Sequence, residues 1–460
     1  MKKFILFVTV LLCVAKVQAQ QAVKPFQQGD RVAFVGNSIT DNGHYHSYIW
    51  LYYMTRFPTR RVEIFNGGIG GDDVKNIITR IDADVFARKP NIMTLTFGMN
   101  DSGYFEFFAP DAAEKAKQKI QTCYDRYQVL EQKLKDHPEI KKIIIASSPY
   151  DQTAQIKNKP YPKKNDAIIE IAKFQEASAK TNNWGFVDFQ RPMTAINLRE
   201  QQSNPAFTLC GRDRIHPDNN GHMVMAYLFL KGQGLAGHDV ANVNIDAAGK
   251  KVRKTVNCKV SNLVSAKTGI KFDYLAAALP YPVDTLPRGF EASVPASQAL
   301  KVIPFTAEMN REMIYVNGLA NGNYVLKIDG RAIGTWSAAE YMKGINLATM
   351  VNTPQYQQAL SLMHLNEERF EIERRLRMYI WMQYDFLLGK GLLYQDTPAA
   401  MDTVNKYAVK DAFVRMNQDN YTRARFPEVR EGWRNQMKAI VDQIYTNNKP
   451  KKRVIEILAE

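Results

Sequence analysis

The chain has 460 residues, 45% apolar and 23% charged, and a formal net charge of +15. That length exceeds one ordinary core and predicts two or three domains. Its Lys and Arg residues are interleaved with acids, as in Glu367-Glu368-Arg369 and Glu373-Arg374-Arg375. No basic stripe of a nucleic-acid module is formed, so the excess charge reads first as a solvated surface and second as attraction to a polyanion such as an acidic polysaccharide.

The chain opens Met1-Lys2-Lys3, runs apolar from Phe4 to Ala15 and reaches Val17-Gln18-Ala19. A charged start, a short apolar stretch and small residues at a cleavage point predict a signal peptide over residues 1–19 and an exported product, periplasmic or extracellular. The run is too short to span a bilayer, and no later segment is long and apolar enough to be a transmembrane helix. Beyond the leader three cysteines remain, Cys123, Cys210 and Cys258. An odd number in so long a chain argues against a disulfide framework, and the spacings are too wide for a cysteine zinc site.

Arg31-Val32-Ala33-Phe34-Val35-Gly36 reads as a strand that ends at a glycine, followed by Asn37-Ser38 and an aromatic-rich helix over 45–57. Ser38 therefore falls at the carboxyl end of a strand, where ligands bind in open α/β sheets, and is a candidate nucleophile; the competing reading is an ordinary helix cap. A second strand over 62–66 leads into Gly67-Gly68-Ile69-Gly70-Gly71, with Asp72-Asp73 opening a helix to about residue 87. The glycines free backbone N–H groups to face a ligand; a phosphate loop is disfavoured because no Gly-Lys-Ser/Thr ending follows. A third strand over 92–97 ends in Gly98-Met99-Asn100-Asp101, which again sets a polar side chain just past a strand end.

A helix over 112–135, a strand over 142–147, a helix over 166–180 and a strand over 185–189 complete the alternation. Five apolar strands between helices predict an α/β domain with a flavodoxin-like, doubly wound parallel sheet over 28–240, its site loops gathered along one edge. Asp213-Arg214-Ile215-His216-Pro217 then precedes a helix over 221–232. Three residues separate carboxylate and imidazole, which suits Asp213 to reach Nδ1 while Nε2 points outward. His222 and His238 read as structural.

Four blocks in this order, Gly36-Asn37-Ser38-Ile39, Asn66 to Asp72, Gly98-Met99-Asn100-Asp101 and Asp213-Arg214-Ile215-His216-Pro217, resemble the SGNH hydrolases, or GDSL-type esterases, over roughly 30–235. The resemblance implies that Ser38 is the nucleophile, His216 the general base and then acid, and Asp213 its orienting carboxylate. It also implies an oxyanion hole made by the N–H groups of Ser38 and Gly71 and the Asn100 amide. No cofactor or metal is implied. The family's Asp is Asn37 here and the following Leu is Ile39; neither change removes a reacting group, and asparagine versions resemble carbohydrate esterases at least as much as lipases.

Beyond residue 238 short strands at 252–264, 312–318, 323–329 and 331–336, with turns at Asn317-Gly318, Asn321-Gly322 and Asp329-Gly330, predict a small β-sandwich-like module over 243–336. Residues 337–460 read as helical, clearest over 354–388, and are expected to pack back on the first domain. Their aromatic residues at helical spacing read as core before sugar groove. The functional expectation is an exported serine esterase that removes acyl, chiefly acetyl, groups from carbohydrate, of unknown oligomeric state. The alternatives are a lysophospholipase or thioesterase, decided by the loops near His44, His46, 104–108 and 150–161, and a catalytically idle glycan-binding protein. A metal hydrolase built on Asp41, His44 and His46 is a further, weaker reading.

Overall fold

The computed structural model describes residues 23–289 and 292–460. The expected signal peptide and its cleavage point lie outside these residues. The first domain runs β1 (Arg31–Gly36), α1 (Ser38–Asp41), α2 (Tyr45–Arg56), β2 (Glu63–Gly68), α3 (Val74–Asp84), β3 (Ile92–Phe97), α4 (Ala112–Lys135), β4 (Lys141–Ala146), α5 (Lys164–Thr181), β5 (Gly185–Asp188), α6 (Gln190–Gln201) and α7 (Asn219–Gly232). The five strands form one parallel sheet in the order β2-β1-β3-β4-β5, the doubly wound order expected from the alternation.

Burial on both faces explains why these strands are nearly continuous apolar runs. Alternate residues serve opposite layers. Val32 and Phe34 join the core beneath α2 and α7, while Ala33 and Val35 join the core beneath α3, α4 and α5. Every residue of β3 is buried. The sheet thus fixes the carboxyl ends of β1, β2 and β3 side by side, and the loops that leave them carry Ser38, Gly71 and Asn100.

The second unit contains β6 (Ala241–Asp246), β7 (Lys251–Val256), β8 (Cys258–Ala266), β9 (Gly269–Ala276), α8 (Phe305–Met309), β10 (Glu312–Asn317), β11 (Asn323–Ile328), β12 (Arg331–Ser337), α9 (Ala338–Lys343) and β13 (Ile345–Asn346). The expected strand over 252–264 is two strands, β7 and β8, broken where Asn257 takes the left-handed conformation. The chain continues through α10 (Pro354–Trp381), α11 (Pro398–Ala408), α12 (Ala412–Ala424) and α13 (Pro427–Asn447) to β14 (Arg453–Ala459). One sheet has the order β13-β10-β6-β7 and the other β12-β11-β14-β9-β8. Ile245 and Val316 of the first share a core with Phe272, Leu326 and Ile455 of the second, so the two sheets form a sandwich.

β14 corrects the boundaries expected for the appended half. The region over 337–460 is helical only to Asn447, and the β module extends beyond 243–336 to include β6, which begins at Ala241, and β14. The last strand sits between β9 and β11, antiparallel to both. Val454, Ile455 and Ile457 favour a strand by β-branching, and Ile455 and Ile457 alternate inward with no exposed surface. After a long helical stretch this short alternation is easily read as one more helix.

Pro354 follows the Thr353 cap of α10, whose side chain accepts from the Tyr356 N–H. The helix packs on α13 and on α2. Leu362 and Phe370 are buried, and the Asn366 amide donates to Ser47 Oγ at 2.8 Å, so the helices do pack back on the first domain. After Trp381 the helix widens into a π turn over Met382–Leu387. Tyr379, Tyr421 and Trp433 lie in the helical core.

Replacing Ile457 by Ala should lower the free energy of denaturant unfolding by about 2–5 kcal/mol, as for a branched aliphatic removed from a closed core. A change below about 0.5 kcal/mol would show that β14 does not hold the sandwich together.

Candidate active site

Ser38 begins α1 directly after β1, and the preceding Asn37 caps the helix by accepting the Ile39 N–H at 3.0 Å. The cap needs only a short side-chain oxygen, which Asn supplies as well as Asp. Ser38 Oγ lies 2.7 Å from His216 Nε2, and His216 Nδ1 lies 2.5 Å from Asp213 Oδ2. The other oxygen, Asp213 Oδ1, accepts the N–H groups of Ile215 and His216, each at 2.9 Å. Burial raises the Asp213 carboxyl, but the His216 hydrogen bond and charge and these two N–H groups outweigh it and hold the group below its ordinary value.

The turn that carries Asp213 and His216 is anchored by Arg214. This residue adopts φ +69°, and its buried guanidinium donates to the carbonyls of Asp151, Ala154 and Asn158. The Asp151 N–H returns a bond to the Arg214 carbonyl at 3.0 Å. Two loops are thereby tied together, and His216 is aimed without itself being enclosed: its side chain is 46% exposed.

The glycine loop closes over the same turn. A Cβ at Gly68 would stand 2.4 Å from the Asp41 nitrogen, so β2 approaches α1 as closely as backbone allows. Gly71 has φ +92° with open space around it; the demand there is conformational, because that φ turns the N–H outward. Gly70 donates to Asp41 Oδ2 at 3.1 Å, and a Cβ built on Gly70 would lie 4.0 Å from the Ser38 Cβ. Among the described residues, neither the Ser38 nor the Gly71 N–H donates to another group of the protein.

Beneath the loop lies a buried array of two guanidinium groups and two carboxylates. Arg80 binds Asp72 and Asp84, each at 2.6 Å, and donates to the carbonyls of Gly67 and Gly36. Arg377, from α10, binds Asp84 through both terminal nitrogens at 2.7 Å and donates from Nε to the Gly68 carbonyl at 3.0 Å. Glu373, one turn earlier, accepts the Asn66 N–H at 2.8 Å and pairs with Arg369 at 2.6 Å. Burial alone would push Asp84 up, yet Arg377 and Arg80 hold it well below the ordinary carboxylate range.

Asn100 is fixed from both ends. Its Oδ1 accepts the Tyr104 hydroxyl at 2.6 Å and its Nδ2 donates to the Asp72 carbonyl at 2.8 Å, which leaves the second amide N–H to face the site. Asp101 ties this loop to its neighbour by accepting the N–H groups of Gly98 and Val74, each at 2.9 Å. The buried Lys164 ammonium donates to the Met99 carbonyl and to Ser102 Oγ, both at 2.7 Å, and sits 3.8 Å from the Tyr104 ring centre.

An aromatic wall flanks these groups. Tyr161 touches Tyr104, Phe105, Phe108 and Tyr150 with ring centres 5.1–5.9 Å apart, and Phe105 and Phe108 are 78% and 56% exposed. The two histidines considered for a metal site are spoken for elsewhere. His44 Nε2 lies 3.3 Å from Glu367, and His46 Nε2 lies 3.1 Å from the Thr40 carbonyl, with burial pushing His46 down to about 4. Among the described residues no group of three or more His, Cys, Asp or Glu side chains is placed to hold a metal ion.

All five residues expected at the site stand on one edge of the sheet. Sequence reasoning did not find Arg80, Arg377, Glu373, Tyr104, Lys164 or Arg214 as supports. The i, i+4 spacing of Arg369, Glu373 and Arg377 was visible, but such spacing ordinarily marks a solvated helix face. Nothing local says that this one is buried.

Two family descriptions match the chain: GDSL-like Lipase/Acylhydrolase family over residues 34–224, and Diltiazem deacetylase C-terminal helical domain over residues 360–449. A solved structure of a gut microbial diltiazem-metabolizing enzyme is 48% identical, covers 96% of this chain and 100% of its own, and superposes with a TM-score of 0.94. An acetylxylan esterase from Geobacillus stearothermophilus is 27% identical over 223 residues, 45% of this chain and 94% of the relative.

Asp41 supplies a pH signature. Burial outweighs the pull of Arg377 and the Gly70 N–H and raises its carboxyl to about 6. The folded state therefore holds this proton more tightly than the unfolded chain. Its contribution to stability is full below about pH 4 and is lost as pH rises to about 6. In Asp41→Asn that loss is absent, so the melting temperature of the variant minus that of the wild type should grow between pH 4 and 6 and level off above. A difference that shrinks over the same range would show the carboxylate to be already ionised in the fold at pH 4.

Proposed function

We infer that this chain, which belongs to the GDSL-like lipase/acylhydrolase family, is an exported serine esterase that removes acetyl groups from hydroxyl-bearing compounds, with acylated carbohydrate as its principal substrate. The observation that carries the reading is the continuous hydrogen-bonded chain from Ser38 through His216 to Asp213.

In this reading Ser38 Oγ attacks the ester carbonyl as its proton moves to His216 Nε2. Asp213 keeps the other ring nitrogen protonated and stabilises the imidazolium. The carbonyl oxygen gains negative charge and is met by the N–H groups of Ser38 and Gly71 and the free Asn100 amide proton. His216 then returns its proton to the leaving alcohol oxygen as the ester C–O bond breaks. Water, deprotonated by the same imidazole, attacks the acetyl-serine, and acetate leaves with Ser38 restored.

Acetyl is supported by the description matched over residues 360–449, which names a diltiazem deacetylase, and by the name of one relative, an acetylxylan esterase. Carbohydrate is supported by the acetylxylan esterase, which aligns over 45% of this chain. Nearly half-exposed Asp213 and His216 side chains suit a bulky alcohol that stays outside while a small acyl group enters. The exposed Phe105 and Phe108 offer flat faces to a sugar ring and favour a second substrate type, acetates of aromatic alcohols.

Acetate release from acetylated xylo-oligosaccharides and from diltiazem, with p-nitrophenyl esters of increasing chain length, tests the reading. Activity should fall steeply beyond acetyl and vanish in Ser38→Ala, and Asn100→Ala should lower kcat by ~10²- to 10³-fold. Rising activity with chain length would transfer the assignment to a lysophospholipase or thioesterase. Full activity in Ser38→Ala would end the serine mechanism.

A further inference from the structure

A cavity of about 750 Å³ lies apart from Ser38, between the β2 edge of the catalytic sheet and helices α10 and α13. Nine cationic side chains line it against three carboxylates, Glu63, Asp84 and Glu373. Each of these carboxylates is already held by a guanidinium, from Arg31, from Arg80 and Arg377, and from Arg369. Four other lining cations pair with carboxylates beyond the lining, Arg61 and Lys438 with Asp442, Arg430 with Asp396 and Arg434 with Glu431, so nine cations stand against six carboxylates and the cavity keeps an excess of positive charge beside a low-dielectric wall.

Two arginines show what that charge is arranged to meet. Arg369 is 1% exposed and lies 4.6 Å over the Trp50 ring; its Nε and Nη1 are bonded to Asn366 and Glu373, but its buried Nη2 has no hydrogen-bond partner. An unpaired donor of a charged group in the interior is costly unless something fills it. Arg88 lies 3.8 Å over the Phe65 ring, donates to the Asn66 carbonyl, and comes no nearer than 3.9 Å to a carboxylate. Burial and the neighbouring Arg377 and Arg434 charges push its guanidinium down to about 10. Each of these sites would be relieved by a negative group. Trp50, Phe65, Leu376 and Ile380 supply an apolar floor next to the cations.

We propose that this cavity binds a small amphipathic oxyanion, a phosphate group carried on an aromatic or aliphatic body, with the phosphate held by Arg369, Arg88 and Arg434 and the body against Trp50 and Phe65. Guanidinium forks match the paired oxygens of a phosphate, and the volume is that of a small-molecule site.

The test is titration calorimetry in a low-salt buffer free of oxyanions, with phenyl phosphate, inorganic phosphate and phenol as probes. Phenyl phosphate should bind one per chain, unchanged in Ser38→Ala and weakened tenfold or more in Arg88→Gln. Arg434, which is 57% exposed at the rim, can be reversed without touching the core, and Arg434→Glu should weaken binding at least threefold. Weaker binding of inorganic phosphate and none of phenol would support both the charged and the apolar contacts; equal binding of inorganic phosphate would overturn the amphipathic part and leave a free-phosphate site. No saturable binding of phenyl phosphate by ~10 mM, binding indifferent to Arg434→Glu, or binding lost in Ser38→Ala would overturn the proposal.

Discussion

The buried pairing of Arg80 and Arg377 with Asp72 and Asp84 is the interaction on which the rest of the molecule is arranged. Strands β1 and β2 stop inside the protein; the Gly36 carbonyl accepts the Ile69 N–H at 3.1 Å, and the carbonyls of Gly36, Gly67 and Gly68 have room for a further donor. The two guanidinium groups supply those donors. Placing two cations there would be ruinous alone, and two carboxylates bring the array to neutrality. Because each guanidinium also bonds a glycine carbonyl, loss of either would leave a buried carboxylate short of its cation and a carbonyl short of a donor. Such arrays contribute little net stability compared with apolar packing but are severely damaging to break. What they provide is position, and the position they fix is that of the loop around Gly71.

This also changes what the appended half is for. Arg377 and Glu373 belong to α10, more than a hundred residues beyond the end of the catalytic domain, yet they bind the Gly68 carbonyl, Asp84 and the Asn66 N–H. The glycine loop is held from outside its own domain. A catalytic layer cut away near residue 240 would lose those partners and expose the second guanidinium site of Asp84. The helical region is part of the active-site scaffold rather than a spacer, even though none of its side chains is assigned a step in the chemistry.

Legibility in the sequence followed the range of the forces involved. Strand alternation with helices and the three-residue step from Asp213 to His216 are local, and the sheet order follows the alternation; the cap weighed at Ser38 falls one residue earlier, at Asn37, and Ser38, His216 and Asp213 lie in one hydrogen-bonded line. The supports were hidden because their meaning depends on distant partners. Arg214 looks like any loop arginine until the carbonyls of the 151–158 loop surround it. The run from Glu367 to Arg377 has the spacing of a wet helix face, and only its docking on α2 and β2 makes it core. β14 failed for the same reason in reverse: its alternation is readable, but its neighbours β9 and β11 are supplied by chain far upstream.

That central position of β14 sets an order of assembly. The parallel sheet pairs strands 32 to 60 residues apart, whereas β14 pairs with β9 179 residues upstream, and closing the shorter loops costs less chain entropy. The sheet containing β9 and β11 must leave a strand-wide gap through the synthesis of five more helices, α9 to α13. Until β14 arrives, both strands present unpaired edges to the solvent, the condition most open to pairing with another chain. Docking of α10 and α13 on the finished catalytic layer delivers the tail to that gap, so the ion array that steadies the glycine loop also guides the closing of the sandwich.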